Sequence, residues 1–172
     1  MKKIGIIGYG AFGKQIENFL AEEEGRSALD VFYFDDHFHN AGGENAYPFN
    51  AFRDSRFHHL SFYIGLGYKH LTVREKICDQ LLKEGLQLPS FIHRTTYVNP
   101  SAKVGYGVCV YPMCNIDQEV ELEVGTMLNN SVTISHNGLV EACTFIAPGV
   151  TVAGNVRIGK CCFIGAGTVI AN

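Results

Sequence analysis

The sequence has no run of apolar residues long enough to cross a membrane. No apolar stretch approaches the roughly 20 residues that a spanning helix needs. The first four residues resemble the start of a signal peptide, but Gly8, Gly10 and Gly13 interrupt the apolar stretch and no small-residue cleavage site follows. We therefore expect a cytoplasmic protein without a membrane span.

The sequence also lacks a strong net charge. Its 14 Lys and Arg residues against 17 Asp and Glu residues give a formal net charge of -3. Domains that bind nucleic acid carry a marked positive excess on one face. The charge balance therefore gives a nucleic-acid partner no electrostatic support.

The six cysteines form no Cys-x-x-Cys pair. Cys161 and Cys162 are adjacent, so in a strand their side chains would face opposite ways. Most of the cysteines fall in the repeat region described below, where a small and weakly polar side chain suits a tight interior. We interpret them as reduced, structural thiols and expect no metal.

The first half of the chain, about residues 1 to 93, alternates β-rich and helix-like segments. Apolar spacing predicts two helices and four short strands. They are the helices 12–24 and 72–84 and the strands 3–7, 31–34, 61–65 and 88–92. This alternation indicates a small parallel sheet with helices on its faces. The segment 37–59 between them has no clear period, and its four histidines are interpreted as lying in a solvated loop.

The second half, residues 94 to 172, has a period of six. Every sixth residue is a bulky aliphatic, and four residues after each comes a second inward candidate that is small or β-branched. The aliphatic positions are Val98, Val104, Val110, Ile116, Leu122, Leu128, Ile134, Val140, Ile146, Val152, Ile158, Ile164 and Ile170. This period predicts a prism of short parallel strands with three hexads to a coil, in which Gly or Asn turns the corners.

His136 is the one histidine of the repeat region. It follows the inward Ile134 by two places, so its side chain should point outward. Imidazole can take a proton from an attacking amine or hydroxyl near neutral pH. Asn137 stands beside it and could orient the ring. A single histidine cannot supply three zinc ligands within one chain, which disfavours the zinc chemistry known for some β-helix proteins.

The N-terminal Gly8-Tyr9-Gly10-Ala11-Phe12-Gly13 is a GxGxxG motif between a predicted strand and a predicted helix. Such glycines let the backbone approach phosphates at a helix N-terminus. Asp35 and Asp36 end the second strand, where an acid would bind a ribose hydroxyl. The alternative is that the motif forms a tight turn and binds no ligand. If a ligand does bind, one nucleotide is favoured over NAD, because about four strands make up only one of the two mononucleotide-binding halves that a dinucleotide site needs.

Together these features resemble the bacterial sugar acetyltransferases of the NeuD/PglD type. The resemblance covers nearly the whole chain and implies an α/β Rossmann-like nucleotide-sugar-binding domain, residues 1–93, followed by an all-β left-handed parallel β-helix acetyltransferase domain, residues 94–172. It further implies a homotrimer with acetyl-CoA between neighbouring β-helices. It implies an N-acetyltransferase that acts on a nucleotide-linked 4-amino-4,6-dideoxy sugar.

The resemblance also assigns residues. It implies that His136 is the catalytic base and that Asn129 contacts the sugar. We add Asn137 to the catalytic residues because it stands beside the base and could orient its ring. It implies that the amide of Gly154 receives the thioester oxyanion. The nucleotide-sugar side comprises Gly8, Gly10, Asp35, Asp36 and Gly65.

Three departures from the family pattern stand out. The family usually has Asp or Glu directly after the base, where this chain has Asn137. Phe145 replaces a second histidine that relatives often carry, and we assign it with Gly154 to the cofactor side. Relatives continue with a further coil or two, so we expect either a shortened chain or an incomplete groove for acetyl-CoA. A sialic-acid-type O-acetyltransferase and a non-catalytic nucleotide-sugar-binding protein therefore stay open as alternatives.

Overall fold

A computed structural model describes all residues, 1 to 172. The chain divides into two compact units. The first unit comprises Met1–Lys69 and Asp79–Pro89, and the second comprises His70–Cys78 and Ser90–Asn172. None of the helices has the length and hydropathy that crossing a membrane requires.

The first unit is built on a sheet of four parallel strands in the order β3-β2-β1-β4. Its elements in chain order are β1 Lys2–Ile7, α1 Ala11–Glu24, β2 Leu29–Phe34, α2 Asp36–Asn40, β3 Ala46–Tyr47, β4 Ser61–Ile64 and α3 Leu71–Lys83. The last helix crosses the division between the units, and its first eight residues belong to the second. The predicted alternation of strands and helices is therefore present.

The core of the first unit is formed by the inner strands and helix α1. Residues 4 to 7 are all buried, which is typical of a parallel strand covered on both faces. Ile16 and Leu20 of α1 are buried on one side of the helix, as the apolar spacing predicted. Phe34, Phe52 and Phe62 fill the remaining interior.

The second unit is a parallel β-helix of two-residue strands. The strands are β5 Phe91–Ile92, β6 Tyr97–Val98, β7 Lys103–Val104, β8 Cys109–Val110, β9 Asn115–Ile116, β10 Glu121–Leu122, β11 Met127–Leu128, β12 Thr133–Ile134, β13 Leu139–Val140, β14 Phe145–Ile146, β15 Thr151–Val152, β16 Arg157–Ile158, β17 Phe163–Ile164 and β18 Val169–Ile170. Each pairs in parallel with the strand three places on, as Lys103 does with Glu121, so one coil contains 18 residues. Three sheets result, which is consistent with a left-handed β-helix.

Two segments of the first half of the chain, 88–92 and 37–59, differ from what the sequence predicts. The strand predicted to begin at Leu88 is only β5, which pairs with β8 of the β-helix and not with the first sheet. The segment 37–59, which was predicted to be a long loop or a loop with a short element inside it, contains α2, β3 and two short 3-10 helices.

The buried face of α3 also differs from the prediction. The apolar spacing of the predicted helix 72–84 places Val73 on one buried side with Ile77 and Leu81. In the structure Val73 is 38% exposed, whereas Arg74 is only 1% exposed. The buried positions near the start of the helix are Leu71, Arg74, Ile77 and Cys78. The helical spacing was right, but a cation occupies a position that periodicity assigns to an apolar residue.

The interior of the β-helix follows the predicted hexads. The aliphatic residues from Val110 to Val152 are at most 1% exposed, and they form one cluster with the second inward positions such as Val108, Val132 and Val150. The predicted interior is thus confirmed by burial from Val110 to Val152, and the aliphatic positions at the two ends are partly buried against the same cluster.

The corners turn at the third residue after each aliphatic. That residue has a positive φ at every corner from Gly107 to Gly167. Only six of these eleven corner residues are Gly or Asn, and the others are Met113, Glu119, Ser131, Cys143 and Cys161. The prediction that Gly or Asn turns the corner was therefore too narrow. A non-glycine residue in the left-handed conformation costs only about 1–2 kcal/mol of conformational free energy, so other residues can also occupy the corners.

Inward hydroxyl and thiol groups satisfy backbone carbonyls at the corners. Thr144 Oγ1 donates to the carbonyl of Gly159 at 2.6 Å, and Cys114 Sγ donates to that of Asn129 at 3.1 Å. Both bonds span 15 residues, as does that from Thr96 Oγ1 to Tyr111. A small donor at the second inward position thus serves the next coil, which explains why Thr and Cys recur there.

The outward rows of the three sheets have different characters. The row on β8, β11 and β14 is apolar and buried, and it consists of Cys109, Met127 and Phe145. The row on β7, β10 and β16 is charged, and it pairs Lys103 with Glu121 at 3.8 Å. The row on β9, β12 and β15 is uncharged and consists of Asn115, Thr133 and Thr151. Only the first of these three rows is therefore both apolar and buried.

Candidate active site

His136 and Gly154 face each other at one corner of the β-helix. Both follow a strand by two residues, β12 and β15, and they are one coil apart. A Cβ atom built on Gly154 would lie 2.5 Å from both Cε1 and Nε2 of His136. The imidazole therefore lies against the bare Cα of Gly154, and any side chain there would displace it.

Asn137 holds the other edge of the imidazole. His136 Nδ1 lies 3.1 Å from Asn137 Oδ1. Because a carbonyl oxygen only accepts, this bond requires the proton on Nδ1 and leaves the lone pair on Nε2. Asn137 has φ of 59°, a conformation that Asn tolerates better than most residues. The turn residue thus also selects the tautomer.

The backbone around Gly154 leaves one amide outside the ladder of the repeat. The amide of Ala153 donates to Ile170 at 2.8 Å, and that of Asn155 donates to the carbonyl of His136 at 3.0 Å. The amide of Gly154 between them donates to no backbone carbonyl. The corner therefore combines a basic ring nitrogen with a backbone donor, which are the two groups that acyl transfer needs.

The structure does not bring Asn129 or Phe145 to this corner within one chain. Asn129 follows β11 and lies at the preceding corner, where its Oδ1 accepts from the amide of Asn130 at 2.8 Å. Phe145 lies on β14 in another sheet, is 2% exposed, and packs against Phe163 with the ring centroids 5.8 Å apart.

The predicted residues of the first unit meet at one edge of its sheet. Ile7 of β1 is paired with Phe34 of β2 on one side and with Ile64 of β4 on the other. The residues that follow these strands, Gly8, Asp35 and Gly65, therefore lie side by side at the carboxyl ends. Ligands of parallel α/β sheets bind at such ends.

Most glycines at this edge are needed for packing. A Cβ atom on Gly13 or Gly65 would collide with the carbonyl oxygen of Gly8, and one on Gly8 would lie 2.6 Å from Leu66 Cδ2. Gly10 differs, because nothing lies within 4 Å of its Cβ position. It is exposed and precedes the first turn of α1, which has no acidic residue and no side-chain cap. Only Gly10 keeps its surroundings open to a ligand.

Asp35 and Asp36 make hydrogen bonds within the chain. Asp35 Oδ2 accepts from the amide of Tyr9 at 2.8 Å, and its Oδ1 accepts from the amide of Phe38 at 3.0 Å as the cap of α2. Asp36 Oδ1 accepts from the amide of Phe49 at 2.8 Å. These bonds tie the glycine turn to the segment after β2.

Sequence reasoning missed a polar cluster beside the glycine turn. Glu17 of α1 is 1% exposed and accepts from the hydroxyls of Tyr9 and Tyr33, the latter at 2.9 Å. Arg26 Nη1 lies 2.5 Å from Glu17 Oε1. Burial, and the hydrogen bond to Glu17, raise the pKa of Tyr9 to about 12. The signal was available, because Glu17 lies within the apolar stripe of α1 next to Ile16.

Two of the four loop histidines, His39 and His58, each contact a backbone carbonyl. His39 Nδ1 lies 2.8 Å from the carbonyl oxygen of Ala46, and His58 Nε2 lies 3.3 Å from that of Arg53. No three His, Cys, Asp or Glu residues are arranged to hold a metal ion.

Comparison with known proteins gives one family and several similar structures. Residues 137–172 match the bacterial transferase hexapeptide family, described as six repeats. The acetyltransferase domain of PglB from Neisseria gonorrhoeae FA1090, solved with acetyl coenzyme A, is 26% identical with a TM-score of 0.86. That match covers 98% of this chain and 81% of the other.

Two further structures are similar in fold. WeeI from Acinetobacter baumannii AYE is 21% identical with a TM-score of 0.85, and the match covers 100% of this chain and 82% of that one. A mutant of perosamine N-acetyltransferase from Caulobacter crescentus, in complex with CoA and GDP-perosamine, is 21% identical with a TM-score of 0.76. That match covers 100% of this chain and 89% of the other.

These matches agree with the hexad pattern. The family model matches residues 137–172, which form the second part of the repeat that predicted the β-helix. The resemblance to the NeuD/PglD-type hexapeptide acyltransferases is therefore confirmed, and the chain is an acyltransferase enzyme.

Proposed function

We propose that this protein transfers an acetyl group from acetyl-CoA to the amine of a nucleotide-linked 4-amino-4,6-dideoxy sugar. The observation that carries the proposal is the position of His136, whose Nδ1 bonds to Asn137 and whose Nε2 lies at the Cα of Gly154. The similar structures solved with acetyl-CoA, or with CoA and GDP-perosamine, support the two substrates.

His136 acts as the general base through Nε2. It removes a proton from the sugar amine as the amine nitrogen attacks the thioester carbonyl carbon. The carbonyl oxygen takes up negative charge and accepts a hydrogen bond from the Gly154 amide. When the C–S bond breaks, His136 returns the proton to the departing thiolate, so the imidazole ends each cycle neutral. A positioned base contributes roughly 10²–10⁴-fold, and one oxyanion donor about 10²–10³-fold.

The first unit binds the nucleotide sugar in this proposal. We assign residues 1–93 to a Rossmann-like binding domain and residues 94–172 to the acetyltransferase domain. Gly10 and the uncapped start of α1 suit a phosphate, because nothing lies within 4 Å of the Gly10 Cβ position. Gly8 and Gly65 shape the turn beneath that position. Asp35 and Asp36 hold the surrounding loops.

A homotrimer would complete the site. Asn129 and His136 lie at different corners of one chain, so a substrate at His136 would meet the Asn129 of a neighbouring copy. Phe145 is assigned to the cofactor side by the sequence alone. Gly154 is assigned there by the sequence and by its amide, which donates to no backbone carbonyl. The outward row that includes Thr133 and Thr151 is uncharged, so burying it against a neighbouring copy would remove no charged group from water.

An amine acceptor fits this corner better than a hydroxyl. Asn137 orients the ring but carries no charge to stabilise the protonated imidazole. A hydroxyl is the weaker nucleophile and depends more on the base. O-acetylation of a sialic-acid-type sugar is therefore the second candidate.

The experiment is a thiol-release assay with acetyl-CoA and a panel of nucleotide-linked amino sugars and hydroxyl sugars. We expect turnover with a 4-amino sugar nucleotide and a decrease in kcat of about 10²–10⁴-fold in His136→Ala. Unchanged thermal unfolding of that variant is the control for folding. A loss of less than threefold would exclude His136 as the base, and turnover with hydroxyl acceptors alone would favour O-acetylation.

A further inference from the structure

A group of thiols in the second unit lies apart from the proposed reaction. Cys78 Sγ, on α3, lies 4.0 Å from Cys143 Sγ at a corner of the β-helix, and both residues are 0% exposed. A Cβ atom on Gly125, one coil before Cys143, would lie 2.8 Å from each of these two sulfurs. The glycine therefore leaves the space in which the two sulfurs meet.

A third thiol leads from this pair to the surface. Cys161 occupies the corner one coil after Cys143, and both residues have positive φ, 52° and 56°. Equivalent residues of neighbouring parallel strands lie about 4.8 Å apart. Cys161 is partly exposed, and its Sγ lies 3.6 Å from Glu75 Oε2. The three thiols thus form a path from solvent to the α3 contact.

The contact between α3 and this corner is held by polar bonds on both sides of the thiols. Arg74 Nε donates to the carbonyl of Gly125 at 2.6 Å. Lys160 Nζ lies 3.2 Å from Glu75 Oε1. Cys78 is one turn after Arg74, so the helix presents its thiol to Cys143 in a defined position.

We propose that Cys78 and Cys143 form a reversible disulfide when the protein meets hydrogen peroxide, with Cys161 as the thiol that reacts first. Peroxide oxidises the Cys161 thiol to a sulfenic acid and is reduced to water. The Cys143 thiol attacks that sulfur, and a second water leaves as the Cys143–Cys161 disulfide forms. Cys78 then attacks Cys143, which gives the Cys78–Cys143 disulfide and returns Cys161 to a thiol.

The geometry requires only local movement. The two sulfurs must approach from 4.0 Å to about 2.05 Å. The hydrogen bond with Cys78, together with burial, raises the pKa of the Cys143 thiol, so the resting pair is protonated and slow to react alone. Partial burial and the Glu75 carboxylate raise the pKa of the Cys161 thiol as well, so Cys161 reacts first because peroxide can reach it, and not because it is a thiolate.

The disulfide would tie α3 to the β-helix. The two cysteines are 65 residues apart in sequence, so the bond closes a long loop in the unfolded chain. Such closure restricts the unfolded state and raises stability. We expect the melting temperature to rise by about 10 °C on oxidation and to return on reduction. This inference does not depend on the acetyl transfer proposed above.

The test is peptide mapping of the full chain after treatment with hydrogen peroxide. Free thiols are blocked in denaturant, and the protein is digested with trypsin and Glu-C, which place Cys78 and Cys143 on the separate peptides 77–83 and 142–157. We expect these two peptides to be linked after oxidation and separate after reduction. The Cys78→Ala variant should lack the linked pair and the rise in melting temperature.

Cys161→Ala tests the entry thiol, and Cys162→Ala is its matched control. Cys162 is the neighbouring residue, but it belongs to the interior positions of the β-helix. We expect the 77–83 and 142–157 peptides to become linked at least tenfold more slowly in Cys161→Ala and at the wild-type rate in Cys162→Ala. Equal rates in both variants would refute the role of Cys161. Peroxide oxidation of Cys161 in the wild type without the Cys78–Cys143 link would refute the proposal as a whole.

Discussion

The two places where polar chemistry was expected are built in opposite ways. At the edge of the first sheet, the carboxylate of Asp35 already accepts two backbone amides, and Gly8, Gly13 and Gly65 are packed against one another. At the β-helix corner, Gly154 is bare because the ring of His136 fills its place, and Nε2 is left without a hydrogen bond in the chain.

The difference separates two reasons for a glycine or an acid in a motif. A glycine that is surrounded by its own backbone is explained by folding, and it says little about a ligand. A glycine that makes room only for a titratable side chain is explained by what that side chain does. The corner is thus the stronger evidence for function, although the glycine motif is the more familiar pattern.

Replacing Gly154 with Ala should produce the largest change. The new methyl group would overlap Cε1 and Nε2 of His136, and the ring would rotate out of place. Because Gly154 has no positive φ, the backbone accepts Ala without strain. We expect kcat to fall about 10²-fold, since misplacing a catalytic group by about 1 Å has this effect, while the melting temperature changes little.

Gly159→Ala is the matched control for that change. Gly159 also lies at a corner of the β-helix without a positive φ, and the nearest atom to its Cβ position is Cys162 Sγ at 3.9 Å. We expect wild-type kcat in this variant. Equal losses in both variants would show that the β-helix tolerates no added methyl group, and the contact with His136 would then have no special role.

Replacing Asp35 with Ala should reduce the stability of the first unit. The change removes the cap of α2 and the acceptor of the Tyr9 amide, and we expect a loss of about 1–3 kcal/mol in the free energy of unfolding. Urea denaturation measures it, and Asp36→Ala, which loses one bond at an exposed site, should lose less. A large increase in KM for the nucleotide sugar with unchanged stability would instead support a ribose contact.

Replacing Asn137 with Asp should produce a smaller and informative change. A carboxylate beside Nδ1 would stabilise the protonated imidazole, so the acid limb of kcat/KM should move to higher pH by up to about one unit. Above that limb the base would be stronger, and we expect a rate increase of a few fold. Asn137→Gly, which keeps the corner conformation and removes the acceptor, should lower the rate without moving the limb upward.

The β-helix was predictable from the sequence because its contacts repeat. Each interior position contacts the residue 18 places away, so the same kind of site recurs in every coil. Thirteen aliphatic residues from Val98 to Ile170 therefore occupy equivalent interior positions. A strand was predicted at 88–92, but the hexad count began only at Val98. Ile92 of β5 lies six residues earlier and extends the repeat by one hexad. Thr95, at the next corner position, lacks the positive φ of the later corners, so this coil is less regular than those that follow.

The contacts of single side chains could not be predicted in the same way. Arg74 is buried because a carbonyl 51 residues away accepts from it, and no local spacing contains that partner. Asp35 likewise accepts from the amide of Tyr9, which lies 26 residues away in the sequence. The position of His136 could be inferred from its offset to Ile134, whereas its contact with Gly154 depends on the 18-residue coil.

The 18-residue coil sets the increments by which such a protein can change in length during evolution. Removing or adding a whole coil keeps every later residue on its own sheet and moves it by about 4.8 Å along the axis. Adding one hexad between His136 and Gly154 would keep the interior pattern, yet it would turn Gly154 to a different corner. Duplications outside that interval therefore keep the contact between His136 and Gly154 in any multiple of 18, whereas the interval itself is limited to one coil.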